Sequence, residues 1–388
     1  MPQLSASFPS DRLQRIEQAR QAVMHTDQHA PGSDLLPGLG VAPWIQRSWQ
    51  RCLLQGRQPG QRVAFDSVSD ASMRRTVEAS RQLVQAAKPV LGKLGHAMAN
   101  TRYFAILTNA DGVVIDAHGP IDRSDRRADL ITRIGVDLSE RSVGTSAIGA
   151  ALHELQPVWL HRGEHFFADT RVYSCAGAPL FGPDGRCVGM LDLTGVETME
   201  RPELMHLVAQ SARSIEDALV LGMAWALLLR INWPGRSLGE ASDGLVCLDA
   251  DGWVLGLNHA AQQMLGTSAM RDATQTNSAL HANDLLALDF EILFDAARAH
   301  RPCVEVPLWS GLRLNAQPLL QQQSARRYAP AAEAAAPSQR VPLKDIETSL
   351  IQQAVRDAKG NVAEAARALG ISRATVYRKL APAVRPRH

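Results

Sequence analysis

The stretch Pro342 to Leu380 constrains this chain most, because its spacing predicts three short helices ending in a helix-turn-helix whose last helix is basic. Leu343, Ile346, Leu350, Ile351, Ala354 and Val355 recur at three- and four-residue steps, the stripe of an amphipathic helix, and Pro342 suits its first turn. Gly360 ends that helix. Asn361 can cap a second, striped by Val362, Ala365, Ala366 and Leu369, and Gly370 can take the left-handed backbone that a tight turn between helices requires. Ser372 caps the third. Ala366 lets the two helices cross closely, Gly370 turns the chain, and Val376 fills the gap between them. The third helix then presents Arg373, Thr375, Tyr377, Arg378 and Lys379, of which the polar and cationic members can reach phosphates or a guanine edge.

The charge distribution points the same way. The chain carries 41 basic and 39 acidic residues. From Lys359 to His388, however, Lys359, Arg367, Arg373, Arg378, Lys379, Arg385 and Arg387 face Glu364 alone. A positive field confined to one module is the footprint of a polyanion-binding element. The segment GNVAEAARALGISRATVYRKL, Gly360 to Leu380, resembles the Fis-type helix-turn-helix of bacterial activators. That resemblance implies an all-α, DNA-binding C-terminal domain over residues 342–388, with double-stranded DNA as partner.

At 388 residues and 45% hydrophobic content the chain has room for two or three cores. Its longest apolar run, Leu219 to Leu229, is about half of what a membrane-spanning helix needs, and Met1 to Ala30 lacks the apolar centre of a signal peptide, so no membrane association and a cytoplasmic location are expected. Cys52, Cys175, Cys187, Cys247 and Cys303 form no C-x-x-C pair, which argues against a zinc knuckle or a disulfide framework.

Four blocks precede the basic tail. Residues 1–98 read as helical, with the cluster WIQRSWQRC at Trp44 to Cys52. A mixed block over 99–230 follows, in which Tyr103–Thr108 and Val113–His118 join at Asp111-Gly112, and Cys175–Phe181 and Cys187–Leu193 join at Asp184-Gly185. Both joints are hairpin signals. A helix is expected at Thr145–Leu155, and a long one, Glu203–Leu229, closes the block. A third block, 238–320, repeats the theme with strands Leu245–Leu248 and Val254–Leu257 around Asp251-Gly252, a helix at Ala260–Leu265, and strands near Val304–Leu308 and Leu312–Ala316. Residues 321–341, rich in Ala, Pro, Gln and Ser, lack the aliphatic anchors of a core and read as a linker. The fold class is therefore α+β and multidomain.

The mixed block carries a second resemblance. GVDLSERSVGTSAIGAAL (Gly135 to Leu152), GEHFFADTRVYSCAGAPLFGPDGRCVGMLDLTG (Gly163 to Gly195) and the cluster around RSWQRC resemble the sensor region of acetoin catabolism regulators, the AcoR-type activators. The resemblance implies a GAF domain, with a PAS-like domain after it. Folds of this kind hold a small molecule between sheet and covering helices, or serve as dimerisation platforms.

One departure from that family matters for mechanism. AcoR-type activators place an ATPase between sensor and DNA-binding domain, whereas this sequence has no phosphate-cradling G-x-x-x-x-G-K-[ST] loop and no GAFTGA loop for sigma-54. A regulator acting on RNA polymerase without ATP hydrolysis, by recruitment or occlusion, is expected.

Catalytic and metal chemistry fare poorly. His161, Glu164, His165 and Cys175 superficially offer metal ligands, but a four-residue His spacing converges only on a helix, and Pro157, Trp159 and Gly163 make this segment strand and loop. No G-x-S-x-G elbow presents a serine nucleophile. Neither enzyme activity, a metal nor a cofactor is called for. Tyr103, Trp159, His165, Tyr173, Cys175 and Asp192 mix aromatic walls with polar groups, the composition of an effector pocket, although the same residues could simply fill a core. Asp192 stands out, since a carboxylate inside the apolar run Gly189–Leu193 is costly to bury without a partner.

The sequence thus reads as a homodimeric, effector-responsive DNA-binding regulator. A dimer is expected because one short recognition helix reads too few base pairs alone. The contrasting reading is an architectural DNA-binding protein whose sensor domains only dimerise. Arg373→Ala or Arg378→Ala should weaken specific binding by roughly 1 to 3 kcal/mol where the arginine reads a base, while Lys379→Ala should weaken all sequences alike and lower the salt slope. Operator titrations at several salt concentrations measure both. Unchanged affinity in all three variants would remove this helix as the reader.

Overall fold

The computed structural model describes residues 9–25, 41–266 and 279–321, with Val362. The expected helix-turn-helix, including Asn361, Ser372, Arg373, Thr375, Tyr377, Arg378 and Lys379, and the expected linker lie outside the described residues apart from Gln321 and Val362. Residues 1–323 form one compact unit.

Within that unit stand two five-stranded antiparallel sheets. The first contains β1 (Tyr103–Asn109), β2 (Val114–His118), β3 (Val158–His161), β4 (Tyr173–Phe181) and β5 (Cys187–Val196), in the order β2-β1-β5-β4-β3. The Asp-Gly joints behave as expected of hairpin turns. Gly112 and Gly185 adopt φ of 81° and 79°, where a Cβ would be strained, and Asn109 Oδ1 accepts the amides of Asp111 and Val113 across the first turn.

Strand alternation divides the first sheet into two cores. Tyr103, Ala105 and Leu107 on β1 and Leu191 and Leu193 on β5 face one of them. Helices α4 (Arg81–Ala97) and α8 (Leu204–Leu221) cover that side with Leu83, Leu91, Val208 and Ile215. Phe104, Ile106, Tyr173, Cys175, Met190 and Val196 face the other core. Its cover comes from α7 (Ala147–Glu154), from residues 128–143 with Ile131 and Leu138, and from two helices far earlier in the chain, α1 (Pro9–His25) and α2 (Pro43–Leu54), which contribute Ile16, Ala19, Ile45 and Trp49.

The RSWQRC cluster is what docks α2. Arg51 forms a two-pronged ion pair with Glu140 at 2.7 and 2.8 Å, and the Ser48 hydroxyl sits 2.6 Å from Glu140 and 2.7 Å from Thr145. Arg47 pairs with Glu154 near the end of α7. Trp49 is fully buried and donates its indole N–H to the Glu164 carbonyl at 2.9 Å.

The second sheet contains β6 (Leu227–Asn232), β7 (Gly244–Leu248), β8 (Val254–Leu257), β9 (Val304–Pro307) and β10 (Arg313–Leu320), in the order β8-β7-β6-β10-β9. Helix α9 (His259–Leu265) packs on β7, and a longer helix, Phe290–Arg298, packs on β10. Here the expectation of one helix from Glu203 to Leu229 is corrected. The helix ends at Leu221, and Leu227–Asn232, mostly placed in the first α/β block by sequence, is the central strand of the second sheet. Every residue of β6 is buried, so its apolar residues run on without the alternation that marks a half-exposed strand, and such a run resembles buried helix.

Arg20 ties α1 to the first domain. It is 2% exposed, and its guanidinium donates to the carbonyls of Gly163 at 3.1 Å, His165 at 2.6 Å and Phe166 at 2.8 Å while lying 5.1 Å over the Trp49 ring. Burial lowers its pKa to about 10, which still leaves it charged at neutral pH. Arg20→Met should leave these carbonyls without their donor and lower stability by roughly 2 to 4 kcal/mol. Arg20→Lys should recover little, since a single ammonium cannot reproduce a planar fork. Urea unfolding of the full chain measures both losses, and stability within about 0.5 kcal/mol of the parent in Arg20→Met would show that the clamp is dispensable.

Candidate effector cavity

Alternation along β5 places Asp192 and Thr194 on the face that looks toward α7, in the same row as Met190 and Val196. On β4 the same rule brings Tyr173 and Cys175 to that face. Between these strands and their cover lies a cavity of about 40 Å³, lined by Phe65, Ile106, Ile131, Leu138 and Ile148 on the apolar side and by His165, Tyr173, Cys175, Asp192 and Thr194 on the polar one.

The polar side forms a chain of contacts. Asp192 is fully buried, and its Oδ2 is hydrogen-bonded to the Thr194 hydroxyl, which also lies 3.2 Å from the Cys175 sulfur. Cys175 Sγ in turn is 3.7 Å from His165 Nε2, and His165 Nδ1 is 3.1 Å from the Arg162 carbonyl. A carbonyl can only accept, so Nδ1 carries the proton and Nε2 presents a lone pair to the thiol. Burial lowers the His165 pKa to about 4, which keeps the ring neutral, and burial raises Cys175 far above the ordinary thiol range. A thiol held protonated in this way is a poor nucleophile and a poor redox centre.

Asp192 supplies an unsatisfied group in this wall. Burial raises its carboxyl to about 7, against the lowering effect of the Thr194 hydroxyl. In its protonated form the carboxyl can donate through Oδ2 to Thr194, which frees the threonine proton for the Cys175 sulfur. Among the described residues Oδ1 has no hydrogen-bond partner although it is buried. An acceptor stranded in an apolar wall costs about 1 to 3 kcal/mol, and a ligand that brings an O–H or N–H recovers that loss.

Four of the six effector residues expected from sequence therefore line one cavity: His165, Tyr173, Cys175 and Asp192. Tyr103 and Trp159 do not join them. Tyr103 faces the α4 and α8 side and donates its hydroxyl to the Met199 carbonyl at 2.9 Å, and Trp159 packs against that same core and stacks on His161. The reason is parity, for each sits an odd number of strand positions from the cavity row. His161 shares the Trp159 side and bonds Ser174 through Nδ1 at 2.7 Å, so the two histidines point to opposite faces of the sheet. Among the described residues no group of three or more His, Cys, Asp or Glu converges on a metal position. Thr194 was missed by sequence reasoning, yet period two from Asp192 would have found it.

Known proteins bear on this arrangement. Residues 18–217 match the family described as MimR, N-terminal domain, and residues 342–381 match Bacterial regulatory protein, Fis family. Both matches point to a regulatory protein with a DNA-binding tail of Fis type rather than to an enzyme. The first match covers just over half of the 388 residues, and the chain belongs to the MimR N-terminal-domain family. An acetoin catabolism regulatory protein of Cupriavidus necator is 30% identical over 295 residues, 73% of this chain and 42% of its own length. The propane 2-monooxygenase operon transcriptional activator MimR of Mycolicibacterium goodii is 29% identical over 213 residues, 54% of this chain and 34% of its own length. The chain thus spans less than half the length of these curated relatives. Among solved structures, the E. coli DhaR(N)-DhaL complex has a chain similar at TM-score 0.44 and 14% identity, over 71% of this chain and 98% of that one, too distant to bear on fold or function.

The buried carboxyl has a signature in stability. Its folded pKa is near 7 and an unfolded aspartate titrates near 3.9, so between these values the folded protein keeps a proton that the unfolded chain releases. The stability this group contributes is full below about pH 4 and is lost as pH rises through about 7, a span of up to about 4 kcal/mol. Asp192→Asn cannot lose that proton. Unfolding free energies from pH 5 to pH 8 should therefore show the variant gaining on the parent as pH rises, whatever the constant offset between them. Parallel pH profiles would mean that Asp192 is not held protonated.

Proposed function

We propose that this chain is a sequence-specific DNA-binding transcriptional regulator whose first sheet forms a GAF-type sensor domain and whose second forms a PAS-like domain. The effector is a small, neutral molecule held in the Asp192 cavity, and the observation that carries this reading is the buried Asp192 Oδ1, without a hydrogen-bond partner among the described residues, on the polar side of that cavity. A volume of about 40 Å³ is room for about three water molecules, so the ligand is a compound of very few non-hydrogen atoms with one hydroxyl or amide donor. Small alcohols and hydroxyketones have this form. Two relatives are named for acetoin catabolism and for a propane 2-monooxygenase operon, and both names refer to molecules of this small size.

The cavity wall is also where a signal would leave. Helix α7 and the loop 162–167 form much of its cover; α2 holds α7 through Glu154 and the Glu140 turn before it, and α1 holds the loop through the carbonyls bound by Arg20. A ligand that favours one arrangement of this cover shifts the population of the whole unit, and the response reaches DNA through the Fis-type tail. We read the protein as a homodimer that acts on RNA polymerase by recruitment or occlusion. In support, the sequence between residues 1 and 388 contains no G-x-x-x-x-G-K-[ST] phosphate loop.

Thermal unfolding of the full chain with 2-propanol, 2-butanol, acetoin and acetone tests the sensor. The matching compound at a hundred times its Kd should stabilise the protein by about 2.7 kcal/mol, and hydroxyl-bearing compounds should outrank acetone. Ala147→Leu, which fills the cavity, should abolish the response, and operator affinity should change with the same compound. No response from the parent protein across the panel, or an equal response in Ala147→Leu, would favour the architectural reading instead.

A further inference from the structure

A second cavity, about 480 Å³ in volume, opens where the ends of β3 and β4, helix α8 and the start of the second domain meet. Its size falls in the range of pockets that take ligands of ten or more heavy atoms, and junctions between domains are where such pockets concentrate. One wall is a stacked pair. Phe181, at the end of β4, and His259, the first residue of α9, lie 4.6 Å apart at an interplanar angle of 12°. Trp233, 37% exposed although large and apolar, lines the same cavity just past β6. Flat apolar surface of this kind suits a planar ring.

The charged groups decide what that ring carries. Arg213 on α8 lines the cavity, and among the described residues its side chain takes part in no hydrogen bond or ion pair. Glu216, one turn further along, is buried and accepts the Phe181 amide at 3.0 Å. Burial lifts its pKa to about 8, which weakens the negative charge it sets against an incoming anion near neutral pH. Asp217, also lifted by burial, is turned toward the second domain, where Asn258 donates to it at 2.7 Å. Arg213, exposed on α8 and lining the cavity with no hydrogen bond or ion pair among the described residues, is a site for a carboxylate, which a planar fork can bind through two hydrogen bonds.

We propose that this interdomain cavity is a second ligand site, distinct from the Asp192 cavity, and that it takes a planar aromatic carboxylate whose rings lie against Phe181, His259 and Trp233 and whose carboxylate pairs with Arg213. A ligand there touches β4, α8 and α9 at once, so its occupancy sets how the two sheet domains are held together. It differs in chemistry from the small neutral effector of the first cavity, and the two sites are independent.

Calorimetric titration of the full-length protein with 2-naphthoate, and with neutral 2-naphthamide as its control, tests the site. The parent should bind naphthoate more tightly than naphthamide. Arg213→Gln, at an exposed helix position that tolerates the change, should weaken naphthoate by about tenfold or more and naphthamide hardly at all, because only the charge-assisted hydrogen bonds are lost. His259→Ala should weaken both ligands, and Asp192→Asn neither. The proposal is overturned by an absence of binding heat in the parent at millimolar naphthoate, by equal naphthoate affinity in Arg213→Gln, or by loss of binding in Asp192→Asn, which would move the ligand to the other cavity.

Discussion

A sheet buried on both faces must be covered twice, and most of this molecule follows from how the first sheet meets that demand. One cover is local in sequence: α4 leads into β1 and α8 follows β5, and each presents an apolar stripe to Leu107, Leu191 and Leu193. The other is assembled from separate stretches of the chain, α1, α2, residues 128–143 and α7. Charge pairs fix these pieces to one another. Glu140 gathers Arg51 and Ser48, Glu154 takes Arg47, and Arg20 reaches across to three loop carbonyls. The pairs are partly or fully buried, so breaking one partner leaves a polar group stranded, and they specify the docking geometry more than they add to its free energy.

Within this double-covered sheet a carboxyl is fully buried. Asp192 lies on the interior row of a central strand, with one oxygen bonded to Thr194 and the other unpartnered. Burial raises its pKa to about 7, so below that pH it is a neutral hydrogen-bonding group rather than a charge. The neighbouring groups are kept neutral by the same burial, with His165 unprotonated and Cys175 a thiol. The polar side of the cavity thus presents hydrogen-bonding groups rather than a fixed charge, inside an apolar shell. Arg213, exposed at the domain junction and unpaired among the described residues, is a fixed charge instead.

Much of the first domain is legible in the sequence for local reasons. The Asp-Gly turns, the strands that flank them and the helix within Thr145–Leu155 are each encoded within a few residues, and each appears near where expected. The failures share one cause, which is that burial on both faces erases the pattern that distinguishes elements. Leu227–Asn232 carries no alternation because neighbouring strands and helices enclose it, so it reads as the end of a helix and is a central strand. Tyr103 and Trp159 have the composition of pocket residues, but composition is blind to which face of a strand looks inward.

By itself the sequence determined the classes of element, the basic tail of Fis type, the family resemblance through the Gly135–Leu152 and Gly163–Gly195 segments, and the anomaly of Asp192, because propensity, periodicity and the cost of an apolar-flanked charge are local properties. Tertiary structure alone decided that Asp192, Thr194, Cys175 and His165 share one cavity, that Tyr103 and Trp159 face away from it, and that Arg20 braces its loop from more than a hundred residues away. These depend on strand register and on contacts between distant segments, which are set when the two covers close over the sheet.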